Sequence, residues 1–103
     1  MPIAFVAARE AYLAAYHAAT AYVVEQTGKA PKTHTGLRGE FARIARREER
    51  IDPTFVRFLG RAYILKSAAD YGVDPGSAIS LDQASEAIAI ARRFIDMVAK
   101  LIG

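Results

Sequence analysis

The sequence predicts an all-α protein, an up-and-down bundle of four helices that forms a single domain over residues 1–103. Apolar residues recur at spacings of three and four, as on one face of a helix. Gly, Pro and Asp residues separate the periodic segments, and no segment carries the signals of a strand. Since short connections favour antiparallel neighbours, these segments predict a bundle.

The first helix is expected from about Ile3 to Gln26 and is rich in alanine, the strongest helix former. Gly28 follows it and suits the left-handed backbone of a helix C-cap. A helix with so many small side chains usually packs closely against neighbours on several faces. We do not expect four helices of this length to cover it alone, so the alanines predict a homodimer or a partner chain.

The second helix is expected from near Thr35 to near Glu49, with Leu37 and Phe41 on its core face. Its charged residues have two interpretations. They form a solvated face with ion pairs, or they form a patch for RNA or an acidic partner. The stretch contains Arg38, Arg43, Arg46, Arg47 and Arg50 together with Glu40, Glu48 and Glu49.

The last two helices have clear starts. The third is expected from Pro53 to about Asp70, because Asp52 can accept hydrogen bonds from free backbone N–H groups and Pro53 needs no donor there. The fourth is expected after Ser80, because Ser80 and Gln83 fit a capping box.

The composition excludes several kinds of site. The chain has no cysteine, which excludes disulfides and thiolate metal sites, and its two histidines lack the clustered carboxylates of a metal site. There is no Gly-rich phosphate loop, and no apolar run approaches the roughly 20 residues of a membrane span. We therefore expect a cytoplasmic protein with no metal, cofactor or membrane association. The net charge of +3 permits attraction to phosphate without requiring it.

His17 and His34 lie in different settings. His17 is expected to be a buried core residue, because it lies within the alanine-rich first helix. His34 lies just before the second helix and has two interpretations. It fixes this loop structurally, or it joins Lys32, Thr33 and the free N–H groups of the helix start in an anion site.

Three motifs follow one another along the chain. The first lies in the first helix and consists of Arg9, Ala11, Tyr12, Tyr16, His17, Ala18 and Ala19. The second is the turn Lys32–Gly36, which is followed by Phe41, and the third is the end of the third helix, Ala69-Asp70-Tyr71. With these motifs the chain resembles the HEPN domain family, small all-helical domains linked to nucleotide binding, over roughly 9–103.

The resemblance implies a HEPN-like fold that binds a nucleotide, RNA phosphate or a nucleotidyltransferase-type antitoxin, as part of a toxin–antitoxin-like pair. It also implies a homodimer in which two copies of the third helix end form a shared basic cleft. In family members paired with such antitoxins, a tyrosine near the catalytic motif receives a nucleotide, and Tyr71 would match it. The implied binding residues are Arg61, Lys66, Asp70 and Tyr71, together with Lys32 and His34.

Two features differ from the family pattern. Members usually have a helix before the first motif, whereas this chain starts almost at that motif. The family's ribonucleases depend on an Arg followed closely by a His, whereas here Lys66 stands at the Arg position, and Asp70 and Tyr71 stand near the His position. RNA cleavage without metal needs a base for the 2′-hydroxyl and a cation for the phosphorane. The sequence therefore leaves enzymatic activity undecided.

Two alternatives stay open beside the binding function. One is a metal-independent ribonuclease with a degenerate site, and the other is a purely structural helical module that docks on another protein. In a structural role, Lys66 and Asp70 would form a surface ion pair of roughly 0.3 kcal/mol.

Overall fold

The computed structural model describes residues 3–70 and 80–103, apart from the side chains of Phe5, Ala62 and residues 65–70. The chain forms four helices, and the described residues contain no strand. The predicted all-α fold with four helices is therefore confirmed. The helices are α1 (Ile3–Thr27), α2 (His34–Ala45), α3 (Pro53–Asp70) and α4 (Leu81–Ile102).

α2 is shorter than its sequence predicts. It ends at Ala45 instead of near Glu49, because the backbone after it forms tighter turns: the Arg47 N–H donates to the Ile44 carbonyl and the Ile51 N–H donates to the Glu48 carbonyl. These turns bury Ile51, which is 4% exposed. Ending α2 early therefore adds an apolar side chain to the core.

The segment between α1 and α2 brings the chain back along α1. Gly28 ends α1 with a positive φ of 79°, and residues 28–33 then span the distance to the middle of α1, where His34 lies beside Tyr12. Further along both helices, the rings of Tyr22 and Phe41 lie 6.3 Å apart. Contacts thus advance in the same direction on both helices, so α2 runs broadly parallel to α1 and the expected antiparallel arrangement does not hold for this pair.

α3 reverses this direction. Its Tyr63 ring lies 5.4 Å from His34 at the start of α2, whereas its Phe55 ring, two turns earlier, packs against Phe94 of α4. Phe94 also stacks on Phe41, 5.2 Å away, in the second half of α2. The start of α2 and the later part of α3 therefore meet beside the middle of α1.

α1 is the central helix, and it contacts each of the other three, α4 most extensively. Ala8, Ala11, Ala15 and Ala19 are buried, so their small side chains allow the neighbouring helices to approach closely. The chain itself covers these residues. Four other alanines between Ala7 and Ala21 are half-buried or exposed, so the expectation that a second copy or a partner covers part of α1 stays a prediction.

Candidate functional site

Thr33 fixes the start of α2. Its hydroxyl accepts a hydrogen bond from the Gly36 N–H at 2.9 Å, and its carbonyl accepts from the Leu37 N–H at 3.0 Å. Gly36 leaves room for this cap, because a Cβ there would lie 3.0 Å from the Thr33 hydroxyl oxygen. The cap holds His34, the first residue of α2, in a fixed direction toward α1.

His34 lies within a group of rings that we call the aromatic cluster, Tyr12, Tyr16, His34 and Tyr63. Its Nδ1 is 2.6 Å from the Tyr12 hydroxyl oxygen. Its ring stacks on Tyr16, with centroids 4.3 Å apart, and Tyr63 lies 5.4 Å away at a tilt. Three helices thus contribute to holding one imidazole.

Tyr12 is the buried partner in this hydrogen bond. Burial raises the pKa of Tyr12 to about 12, and the neighbouring Tyr16 and Tyr63 act in the same direction against the opposing effect of Arg38. Tyr12 therefore keeps its proton at neutral pH. The direction of this hydrogen bond follows the imidazole tautomer: the Tyr12 hydroxyl donates when the ring proton is on Nε2, and Nδ1–H donates to the hydroxyl oxygen when the proton is on Nδ1.

Arg38 lies one turn after His34 on α2 and extends over the aromatic cluster. Its guanidinium carbon is 4.3 Å from the centre of the Tyr63 ring, a cation–π geometry. Arg38 also lies beside Gly60 on α3, where a Cβ would make an ordinary van der Waals contact with the Arg38 Nη1 at 3.9 Å. The cation is thus stacked against α3 beside the imidazole.

The charge of Arg38 has no acidic partner among the described residues. Its Nε is buried without a hydrogen-bond acceptor, and it forms no ion pair in the described part of the chain. Leaving a buried donor unsatisfied costs about 1–3 kcal/mol, and more for a charged group. An acceptor oxygen from outside the protein would remove this cost by displacing the groups that cover the Nε.

Other arginines of the same stretch behave differently. Arg43 pairs with Glu40 at 2.7 Å, and Arg50 pairs with Glu48 at 2.8 Å. The interpretation of this stretch as a solvated face with ion pairs therefore holds for these two arginines and not for Arg38.

The binding residues that the family resemblance implied do not all lie at the aromatic cluster. His34 is in the aromatic cluster, and Lys32 is exposed two residues before it. Arg61 is exposed on α3, and no described contact joins it to the cluster. The side chains of Lys66 and Asp70, and the whole of Tyr71, lie outside the described residues.

The prediction that His17 is a buried core residue is wrong. Its side chain is exposed, because His17 lies on the opposite side of α1 from the buried Ala15 and Ala19, where no other helix covers it. Its ring makes an edge-to-face contact with the Tyr16 ring, with centroids 5.6 Å apart.

Sequence reasoning missed Arg38, which it grouped with the other arginines of its stretch. One signal pointed to it: Arg38 lies four positions after His34, so both share a face of α2.

The site combines one guanidinium with aromatic walls. Arg38 supplies a cation whose planar fork matches a phosphate or carboxylate. No three His, Cys, Asp or Glu side chains cluster in the described ranges as metal ligands would. None of the helices, over the residues described, is sufficiently long and apolar to cross a membrane.

Comparison with curated proteins and with solved structures gives no match. The family model of the HEPN domain, in contrast, matches residues 5–101, nearly the whole chain. At the level of the family, this domain supports a role that is related to nucleotides or RNA or is of the toxin–antitoxin type. The chain belongs to the HEPN domain family.

Proposed function

We propose that this protein binds the phosphate of a nucleotide or of RNA at the start of α2, with Arg38 as the main phosphate ligand. The observation that carries the proposal is the buried Arg38 Nε, which has no acceptor among the described residues. The family role supports phosphate over other anions, because nucleotides and RNA both carry it.

The stacking of Arg38 on Tyr63 supports a binding role. Packing on the ring restricts the guanidinium before any ligand arrives, so less side-chain entropy is lost when a phosphate binds. Arg presents its N–H groups in a planar fork that fits two phosphate oxygens at once. A guanidinium held in this way therefore loses little further conformational entropy when it binds a phosphate.

Aromatic rings beside the cation suit the other parts of a nucleotide. Tyr16 and His34 are half-buried, so each side chain leaves part of its surface accessible. Stacking of a base on an aromatic side chain is worth about 1–3 kcal/mol. The aromatic cluster would therefore add affinity for a nucleotide over inorganic phosphate.

The remaining residues implied by the resemblance enter the proposal as flanking ligands. Lys32 and Arg61 are exposed and would attract the phosphate backbone from the solvent side. Lys66 and Asp70 follow Tyr63 by three and seven positions in the sequence of α3, a spacing typical of one helix face. Tyr71 comes directly after α3 in the chain.

We also propose a homodimer and a nucleotidyltransferase-type partner as the molecular setting of this site. The support for the dimer is Ile64 on α3, a large apolar side chain that is 67% exposed. A second copy that covers Ile64 would remove this apolar surface from water. For the nucleotidyltransferase-type partner, the support is membership of the HEPN family.

The test is a binding titration of labelled single-stranded RNA and of ATP against the protein and its Arg38→Gln variant. Arg92→Gln is the matched control, because Arg92 is exposed on α4 and its loss changes the net charge equally. We expect Arg38→Gln to weaken binding of both ligands about tenfold or more, the equivalent of a charged hydrogen bond. Arg92→Gln should stay within about twofold.

Two further measurements complete this experiment. Thermal unfolding should show that Arg38→Gln folds, because the substitution removes an unsatisfied buried donor and no paired one. A denaturing gel of the RNA samples would detect cleavage. If a folded Arg38→Gln variant binds both ligands as tightly as the parent protein, Arg38 is not the phosphate ligand.

A further inference from the structure

A second concave site lies between the C-terminal parts of α1 and α2. It is an open cleft of about 230 Å³, and its lining includes Tyr22, Ile44 and Arg47. Tyr22 follows Tyr12 by ten residues in α1, which corresponds to about 15 Å along the helix. The cleft is therefore separate from the aromatic cluster and does not depend on the function proposed above.

Tyr22 provides a hydrogen-bond donor in the cleft. Its side chain is only 2% exposed, and no described residue forms a hydrogen bond with its hydroxyl. Burial raises the pKa of Tyr22, and the charge of Glu48 raises it further while that of Arg50 opposes the change. The hydroxyl therefore stays protonated at neutral pH and is available as a donor.

The charges around the cleft leave one cation in excess. Arg43 is paired with Glu40, and Glu48 accepts hydrogen bonds from both the side chain and the backbone of Arg50. Arg47 is exposed and forms no ion pair within the described residues. The charges of the two pairs cancel, so the cleft keeps the single positive charge of Arg47.

Ile44 supplies the apolar part of the lining. It is half-buried and packs against the core from the edge of α2, so one side of its chain faces the cleft. A ligand that matches these walls has an oxyanion for Arg47 and Tyr22 and a short apolar group for Ile44.

We propose that this cleft binds a small organic oxyanion, a carboxylate or a phosphate monoester. Arg47 and the Tyr22 hydroxyl hold its oxygens, and its apolar group lies on Ile44. The small volume excludes a long chain, and the unpaired positive charge of Arg47 suits an anionic group. Two test compounds distinguish these ligand classes: butyrate represents a carboxylate, and methyl phosphate represents a phosphate monoester.

The test is an NMR titration of the isotope-labelled protein with butyrate and, separately, with methyl phosphate at constant ionic strength. We expect one of the two to produce saturable shifts of the amide signals of Gln26, Ile44 and Arg47. Arg47→Gln should weaken this binding about tenfold, and Tyr22→Phe about threefold. Arg46→Gln, which removes an exposed neighbouring charge outside the lining, should stay within about twofold.

Three results would overturn the proposal. The first is the absence of saturable shifts at the cleft with either probe. The second is equal binding by the parent protein and a folded Arg47→Gln variant. The third is a response confined to His34 and Arg38, which would assign both probes to the aromatic cluster and leave the cleft empty.

Discussion

At the scale of single residues, two neighbouring buried polar groups differ in whether a hydrogen bond offsets the cost of removing them from water. The Tyr12 hydroxyl is buried and hydrogen-bonded to His34, whereas the nearby Arg38 Nε is buried without an acceptor in the described residues. A satisfied polar group fixes the packing around it, and an unsatisfied one costs stability until a ligand supplies its partner. Tyr12 therefore orients the site, and Arg38 is the group that the proposed ligand would satisfy.

The pKa of Tyr12 predicts how stability falls at alkaline pH. Burial raises this pKa to about 12 from 10. Because the folded state holds the proton more tightly, its contribution is fully present below pH 10 and is lost as the pH rises toward 12. The loss amounts to about 3 kcal/mol. Urea unfolding between pH 8 and pH 11.5 should show this decline.

Tyr12→Phe is the control for the alkaline decline. It cannot ionise, although it loses the hydrogen bond to His34 and should be less stable by about 1 kcal/mol at neutral pH. The stability curves of the parent protein and the variant should therefore converge above pH 10 and then cross, because the parent's loss of about 3 kcal/mol exceeds the starting difference of about 1 kcal/mol. Parallel curves over this range would show that Tyr12 does not cause the decline.

At the scale of the element, the sequence predicted helix starts well and the path of the chain between helices poorly. The capping box of α4 is present, with hydrogen bonds between Ser80 and Gln83 at 2.8 and 3.1 Å. Asp52 accepts from the Thr54 N–H at 2.8 Å, as its position before Pro53 predicts. Such caps depend on residues within one turn, so a local pattern reveals them.

The segment 28–33 shows why other features could not be predicted. It brings His34 to Tyr12, far from the end of α1, so that α2 runs broadly parallel to α1. Six residues can span about 20 Å or can form a tight turn, and only tertiary packing decides between these paths. The aromatic cluster depends on this path, which is why sequence reasoning selected His34 without its partners.

The cap at Thr33 predicts a coupled loss of stability and binding. Thr33→Ala removes the hydrogen bond to the Gly36 N–H and should lower the free energy of unfolding by about 1 kcal/mol. Because His34 is the next residue, the change should also weaken nucleotide binding. Urea unfolding and the ATP titration measure the two effects. Thr33→Ser keeps the hydroxyl and should retain both properties, and equal losses in the two variants would argue against the cap.

At the scale of the whole molecule, the small side chains of α1 permit one chain to build the core. Ala11, Ala15 and Ala19 are buried beneath three neighbouring helices, and the largest buried rings, Tyr12, Phe41 and Phe94, fill the space between them. The alanine pattern correctly indicated close packing on several faces. It could not indicate whether the cover comes from the same chain or from another, because both give the same pattern.

The proposed homodimer predicts a mass in solution twice that of the chain. Sedimentation velocity should give a dimer for the parent protein and a monomer for Ile64→Asp, because the added charge would have to be buried in the interface. Ile95→Asp is the control, since Ile95 is an exposed apolar residue on α4. A monomeric parent protein, or an Ile64→Asp variant that remains dimeric, would contradict this arrangement.

The most direct test of the central claim is to observe the Arg38 Nε–H by NMR during a titration with ATP and with single-stranded RNA. This proton has no acceptor among the described residues of the free protein. The account predicts that its signal shifts downfield and saturates together with binding, as expected when a phosphate oxygen accepts the hydrogen bond. An unchanged Arg38 signal at saturating ligand would place the phosphate elsewhere on the molecule and contradict the account.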